Sequence, residues 1–174
     1  YRCKLYELFA ARRVNGRWRA GSGAVYNLNS NRVRPLGWTS ADAAGLPIFP
    51  GLVRHDEVRR GRIDHAIRFT APRTRRAFVF PARHHAGASD DPALPPMGLR
   101  VRLKASVDIS SYGPQSRVVL TALKRYGMIL ADNGSPWYIT VAPSARWNDD
   151  DLHALGRLTG ADFEGVDTGA ALQR

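Results

Sequence analysis

A single cysteine, Cys3, leaves this chain of 174 residues without any possible internal disulfide. In strand-like surroundings its thiol is expected to be a small buried hydrophobe, with no neighbour to lower its pKa. A cysteine upstream of Tyr1 could pair with it if the chain is a piece of an exported protein. Long apolar runs are missing too: none approaches the roughly 20 residues that cross a bilayer. No signal-like segment opens the chain, which starts at Tyr1 inside strand-like sequence. The expectation is one domain, residues 1–174, that has lost N-terminal residues.

Chemical signatures are equally sparse. There is no Gly-x-Ser-x-Gly elbow, and Gly21-Ser22-Gly23 is too short for a phosphate loop. The five histidines show neither HxH nor HExxH spacing. Serine-hydrolase and nucleotide chemistry are therefore poor fits, and the sequence points to no cofactor and no metal. Lysine is scarce, since 23 of the 26 basic residues are Arg. Acidic residues are scarce in the first half: residues 1–87 hold 17 Lys+Arg against 5 Asp+Glu, and residues 88–174 hold 9 against 10. Such asymmetry fits a polyanionic partner, but a GC-rich coding sequence produces the same arginine bias. No nucleic-acid-binding module accompanies it, so no specific nucleic acid is expected.

What is present reads as strands with a few helices. RCKLYELFAA and WRAGSGAVYNL are two strands around a VNGR turn, with Cys3, Leu5 and Glu7 sharing a face. TSADAAG, capped by Thr39 or Ser40, and RHDEVRRG, closed by Gly61, carry helix signals. GLRVRLKASVDI alternates most cleanly, setting Leu99, Val101 and Leu103 against Arg100, Arg102 and Lys104. SSYGPQSRVVLTALKRYG predicts a helix with an apolar stripe of Val118, Val119, Ala122, Leu123 and Tyr126, stopped at Gly127. MILAD and WYITVAP suggest a strand pair around NGSP. NDDDLHALGRL carries acids suited to a helix N-terminus, and ADFEGVD a last strand. The fold class implied is α+β: an antiparallel β-sandwich or partly open barrel with two helices.

The segment GRIDHAIRFTAPRTRRAFVFPARHH predicts a hairpin turning near Arg73-Thr74. Phe69 would then face Phe78, Ile67 would face Phe80, and Ile63 would face His84. His65 joins that face beside His84, and Asp64 pairs with Arg83. Buried hydrogen-bonded histidines are the plain reading; the sharper one makes His65 an acid–base group. His84 and His85 would point opposite ways from a strand. Of the carboxylates Glu7, Asp132, Glu164 and Asp167, Asp132 stands out at a strand end before Asn133-Gly134, although Asp-Asn-Gly is also turn chemistry. Trp137, Tyr138 and Trp147 could stack on sugars or fill a core. Arg83, Arg100 and Lys104 are the expected anchors for acidic groups.

The stretches WTSADAAGLPIFPGLVRHDEV, GRIDHAIRFT, FPARHH, LPPMGLRVRLKAS and LKRYGMILADNGSPWYI together resemble a family of exported bacterial proteins of actinobacterial type, which has no assigned reaction. The resemblance implies a secreted or cell-envelope location and gives no residue a role. The resulting expectation is a protein that binds or hydrolyses polysaccharide, with its arginines pointing to an acidic one. Asp132 is its catalytic carboxylate, His65 an acid–base or substrate-orienting group, and Arg83, Arg100, Lys104, Asn133 and Trp137 are its substrate contacts. A non-catalytic surface-binding or assembly protein is the alternative.

Overall fold

A computed structural model describes residues 3–174; the start of the first expected strand, at Arg2, lies outside them. The chain is α+β, with nine strands and three α-helices among the described residues. Five strands form one open, mixed sheet in the order β8(Tyr138–Ile139), β5(Ile67–Ala71), β7(Met128–Asn133), β6(Arg100–Leu103), β9(Phe163–Gly165). β5 and β7 run parallel; the other pairs are antiparallel. The main sheet is therefore mixed rather than antiparallel as expected, and among the described residues no barrel closes.

Register divides this sheet into two unlike faces. Ile67, Phe69, Val101, Leu103, Met128, Leu130, Ile139 and Phe163 fall in register on one face. They join α2(Pro114–Arg125), through Val119, Leu120 and Leu123, in the hydrophobic core. Arg68, Thr70, Arg100, Arg102 and Glu164 project from the opposite face. The alternation in β6 and the stripe of α2 are thus as the sequence predicts, because each is a local period imposed by burial. Gly127 ends α2 at φ +70°, where a Cβ would lie 2.3 Å from the Val101 carbonyl oxygen.

No side chain of its own caps the N-terminus of α2. Asp151, from α3(Asp149–His153), does so instead: its carboxylate accepts the amides of Gln115 at 2.8 Å and Ser116 at 3.3 Å. Ser116 Oγ returns a 2.6 Å bond to the Asp151 carbonyl. Asp151→Ala is expected to destabilise the fold by about 1–2 kcal/mol, read as a lower urea midpoint. Gly113→Ala should act in the same direction, because its Cβ would sit 2.5 Å from that carboxylate.

Residues 4–27 form a long ribbon. β1(Lys4–Phe9) pairs with β4(Ser22–Asn27), and β2(Arg12–Val14) with β3(Arg17–Arg19). Asn15 and Gly16, at φ 50° and 76°, make the tight turn that Asn-Gly predicts. Glu7 fixes the ribbon to the body, its carboxylate accepting the amides of Ile48 and Phe49 at 2.8–2.9 Å. Cys3 is exposed rather than buried.

Two expected hairpins fail here for one physical reason, which is that adjacency in sequence does not fix pairing. The hairpin over residues 61–85 does not form, because β7 and β8 occupy both edges of β5. Phe78 bridges Met97 and Gln173 instead of facing Phe69. Asp64 pairs with Arg62 at 2.9 Å, not with Arg83. Likewise β7 and β8 are not a hairpin, since β5 lies between them. TSADAAG stays a turn, in which Ser40 Oγ accepts the Asp42 amide at 3.1 Å. The segment RHDEVRRG does form α1(His55–Arg59), followed by Gly61 at φ +78°.

Candidate functional site

A bulge in β7 creates the site. Phe69 is in register with Leu130, but the next residue of β5, Thr70, is opposite Asp132. The extra residue, Ala131, turns Asp132 away from the core face and onto the face of Arg68, as bulges re-aim side chains. Arg68 Nη2 stands 3.7 Å from Asp132 Oδ2 and 3.7 Å from Asp42 Oδ2. Two carboxylates therefore flank one guanidinium near the C-terminal ends of the parallel strands.

Their environments differ. The Asp42 side chain is fully buried, and its Oδ1 accepts the Leu46 amide at 3.1 Å and Ser40 Oγ at 3.2 Å. Its Oδ2 makes no hydrogen bond among the described residues. Burial raises its pKa from 3.8 to about 7; nearby Arg68 opposes that rise and Asp132 adds to it. The Asp132 side chain is 35% exposed. Burial raises its pKa as well, against the amides of Asn133 and Ala43 and the charge of Arg68. Asp132 can thus exchange a proton with a solvent-borne molecule. Asp42 can act only through Arg68. Arg68 is held from its other side by a 3.0 Å bond to Thr140 Oγ1, and its stem lies under Gly51.

The loop carrying Asp42 joins further groups to this centre. Ala44 donates its amide to the Ala131 carbonyl at 3.0 Å, and the Ala43 carbonyl lies 2.9 Å from His84 Nδ1. His84 and His85 stack at 5.6 Å with their planes 11° apart. They do not point oppositely, because residues 83–86 are not a strand. Asn133 follows Asp132 into the site, but Thr74 Oγ1 and the Ala86 carbonyl engage both ends of its amide.

No family model matches this chain, and neither curated proteins nor solved structures give a match.

The remaining expected site residues lie elsewhere. His65 bonds the Ala66 carbonyl at 2.9 Å and sits 3.2 Å from Glu57, which also holds Arg54. It belongs to the packing of α1 and makes no contact with Asp132. Trp137 is on the core face, stacked between Phe69 at 5.6 Å and Phe163 at 5.0 Å. There it borders an apolar cavity of about 550 Å³ under α2, lined also by Leu123, Ile139 and Leu155. Arg100 donates to the Tyr126 carbonyl, and Lys104 to the Ala161 carbonyl at 2.7 Å. Arg102 pairs with Glu164 at 2.5 Å. That basic row is thus spent on the chain itself. Arg83 reaches the Arg34 carbonyl at 2.9 Å, beside the Asp42 loop rather than over Asp132.

Sequence reasoning singled out Asp132 and Asn133, missed Arg68 and Asp42, and set His84 and His85 on opposite faces instead of stacked. The available signal was Arg68 itself, a charge set between Ile67 and Phe69 in an apolar strand. Charges rarely enter such positions without a partner. Among the described residues no three His, Cys, Asp or Glu side chains converge to hold a metal, and no helix is long and apolar enough to cross a membrane.

Proposed function

We propose that the protein acts on polysaccharide as a hydrolase, with Asp132 as the proton-transferring carboxylate and Arg68 and Asp42 as its positioning pair. The observation carrying this reading is the bulge that turns a solvent-reaching carboxylate of raised pKa onto Arg68, beside a second, buried carboxylate. Carboxyl groups in environments of different burial are what acid–base glycosyl transfer employs. The exposed Trp38 precedes the Asp42 loop directly and supplies an aromatic surface of the kind sugars stack on. The motif resemblance noted in the sequence implies a secreted or cell-envelope setting, in which such a substrate is within reach.

The test is release of reducing ends from a panel of neutral and acidic polysaccharides. Asp132→Asn is expected to lower turnover about 10²–10⁴-fold with unchanged thermal unfolding. Undiminished turnover in that variant would remove Asp132 from the chemistry. A second reading, a non-catalytic assembly protein, draws on the exposed Tyr6, Leu8 and Val25 of the ribbon. It gains ground if no polysaccharide is cleaved and the protein self-associates through that face.

A further inference from the structure

The segment leaving the ribbon builds a second polar concavity. A cleft of about 450 Å³ is lined by Val25, Asn27, Ser30, Arg32, Arg34 and Trp38, with Val33 and Pro35 completing it. Short local bonds fix its wall: Asn27 Oδ1 accepts the Asn29 amide at 3.0 Å, and Ser30 Oγ accepts the Arg32 amide at 3.1 Å. Arg83 ties the Arg34 carbonyl to the body. The Arg34 guanidinium lies 5.4 Å from the centre of the Trp38 ring, which is still 57% exposed.

Among the described residues neither Arg32 nor Arg34 has an acidic side chain within ion-pair distance. Arg34 Nε is buried and makes no hydrogen bond among the described residues. Buried donors of this kind are normally matched by an acceptor, and a guanidinium matches an oxyanion best. At the far end of the ribbon, cross-strand register sets Arg12 directly against Arg19, and Arg17 beside them opposite Val14. Like charges placed opposite each other cost stability. Among the described residues no acid offsets these either. The ribbon thus carries a second group of arginines, apart from the cleft.

We propose that the cleft is a subsite for an anionic sugar unit, whose carboxylate or sulfate is gripped by Arg32 and Arg34 while its ring packs on Trp38. This inference rests on the polysaccharide reading above and narrows it to acidic chains. The cleft connects to Asp132 through a short series of contacts. Trp38 leads into the Asp42 loop, Arg83 holds Arg34, and the neighbouring His84 touches Ala43, whose amide faces Asp132. A single concave aromatic seat suits one sugar ring. A nucleic-acid strand calls for successive stacking platforms, of which this cleft has one.

The experiment is calorimetric titration of the full chain at about 0.15 M salt, where exposed charges are largely screened. The probes are an oligogalacturonate, a sulfated dextran oligosaccharide, a neutral glucan oligosaccharide of equal length and a single-stranded oligonucleotide. Binding of either anionic sugar in preference to the neutral one is expected, weakened about tenfold by Arg34→Gln and similarly by Trp38→Ala. The uronate and sulfate arms identify which anion the cleft prefers. Asp132→Asn should leave this binding intact, which separates the two claims. Binding without any turnover in the wild type would sink the hydrolase and keep the subsite. Turnover of neutral glycans, with anionic binding indifferent to Arg34 and Trp38, would do the reverse. An oligonucleotide that binds more tightly than either sugar, through the same two side chains, would overturn the assignment in favour of nucleic acid.

Discussion

Arg68→Met is expected to destabilise the protein by about 3–5 kcal/mol near pH 8, with a clearly smaller loss near pH 5. Met keeps the stem that packs under Gly51, so the substitution removes charge and hydrogen bonding rather than volume. What it exposes is the problem of Asp42, whose side chain has no access to water. Arg68 is the cation within ion-pair distance of it among the described residues. Without Arg68 a buried carboxylate must stay charged and unpaired or take up a proton, and either choice costs free energy at alkaline pH. Near pH 5 Asp42 already holds its proton in the folded wild type, so the loss of Arg68 costs less there. Urea unfolding at the two pH values checks this. Equal losses at both would show that Arg68 stabilises through its bond to Thr140 rather than through Asp42. The double variant Arg68→Met/Asp42→Asn should recover most of the alkaline loss, because both members of the pair are then neutral.

The same cluster shows where sequence reading stops. β6, α2, the Asn15-Gly16 turn and the stop at Gly61 were legible because periodicity and cap chemistry act within a few residues. The partners of β5 were not: its edges are taken by β7 and β8, strands far along the chain, and the nearby Phe78 segment is excluded from both. Asp132 was visible as a carboxylate at a strand end, but strict alternation from Leu130 would place it in the core. Only the unpaired Ala131 sets it on the polar face. Arg100, Arg102 and Lys104 lie on the face alternation assigns them. Their partners, Tyr126, Glu164 and Ala161, come from other elements, so their engagement could not be read from β6. His65 misled because an acid–base side chain was judged by its type, whereas Glu57 from α1 decides its use. In each case the residue was readable and the partner was not.

Wild-type stability should fall between about pH 4 and pH 7 by an amount on the order of 4 kcal/mol, and Asp42→Asn should abolish most of that fall. The sign follows from proton binding. In the unfolded chain Asp42 releases its proton near 3.8, whereas the folded protein retains it to about 7. Between these values the native state binds more protons than the unfolded state, so raising the pH favours unfolding. Below the window both states are protonated, and above it both are ionised, so this group adds no further slope. Asp108 works the other way: its pKa is lowered by the amide and hydroxyl of Ser110, which favours the folded state once the pH rises past the acid range. The two effects occupy different intervals and are separable. In Asp42→Asn the side-chain oxygen can still accept from Leu46 and Ser40, so those local bonds survive while the ionisation is gone. Denaturant titrations of both proteins across this interval provide the measurement. A wild-type stability that is flat from about pH 5 to pH 7, or a slope that persists in Asp42→Asn, would mean that Asp42 ionises normally. Arg68 would then be a sufficient counter-ion for both carboxylates, and Asp132 alone would carry the proton chemistry assigned to the site.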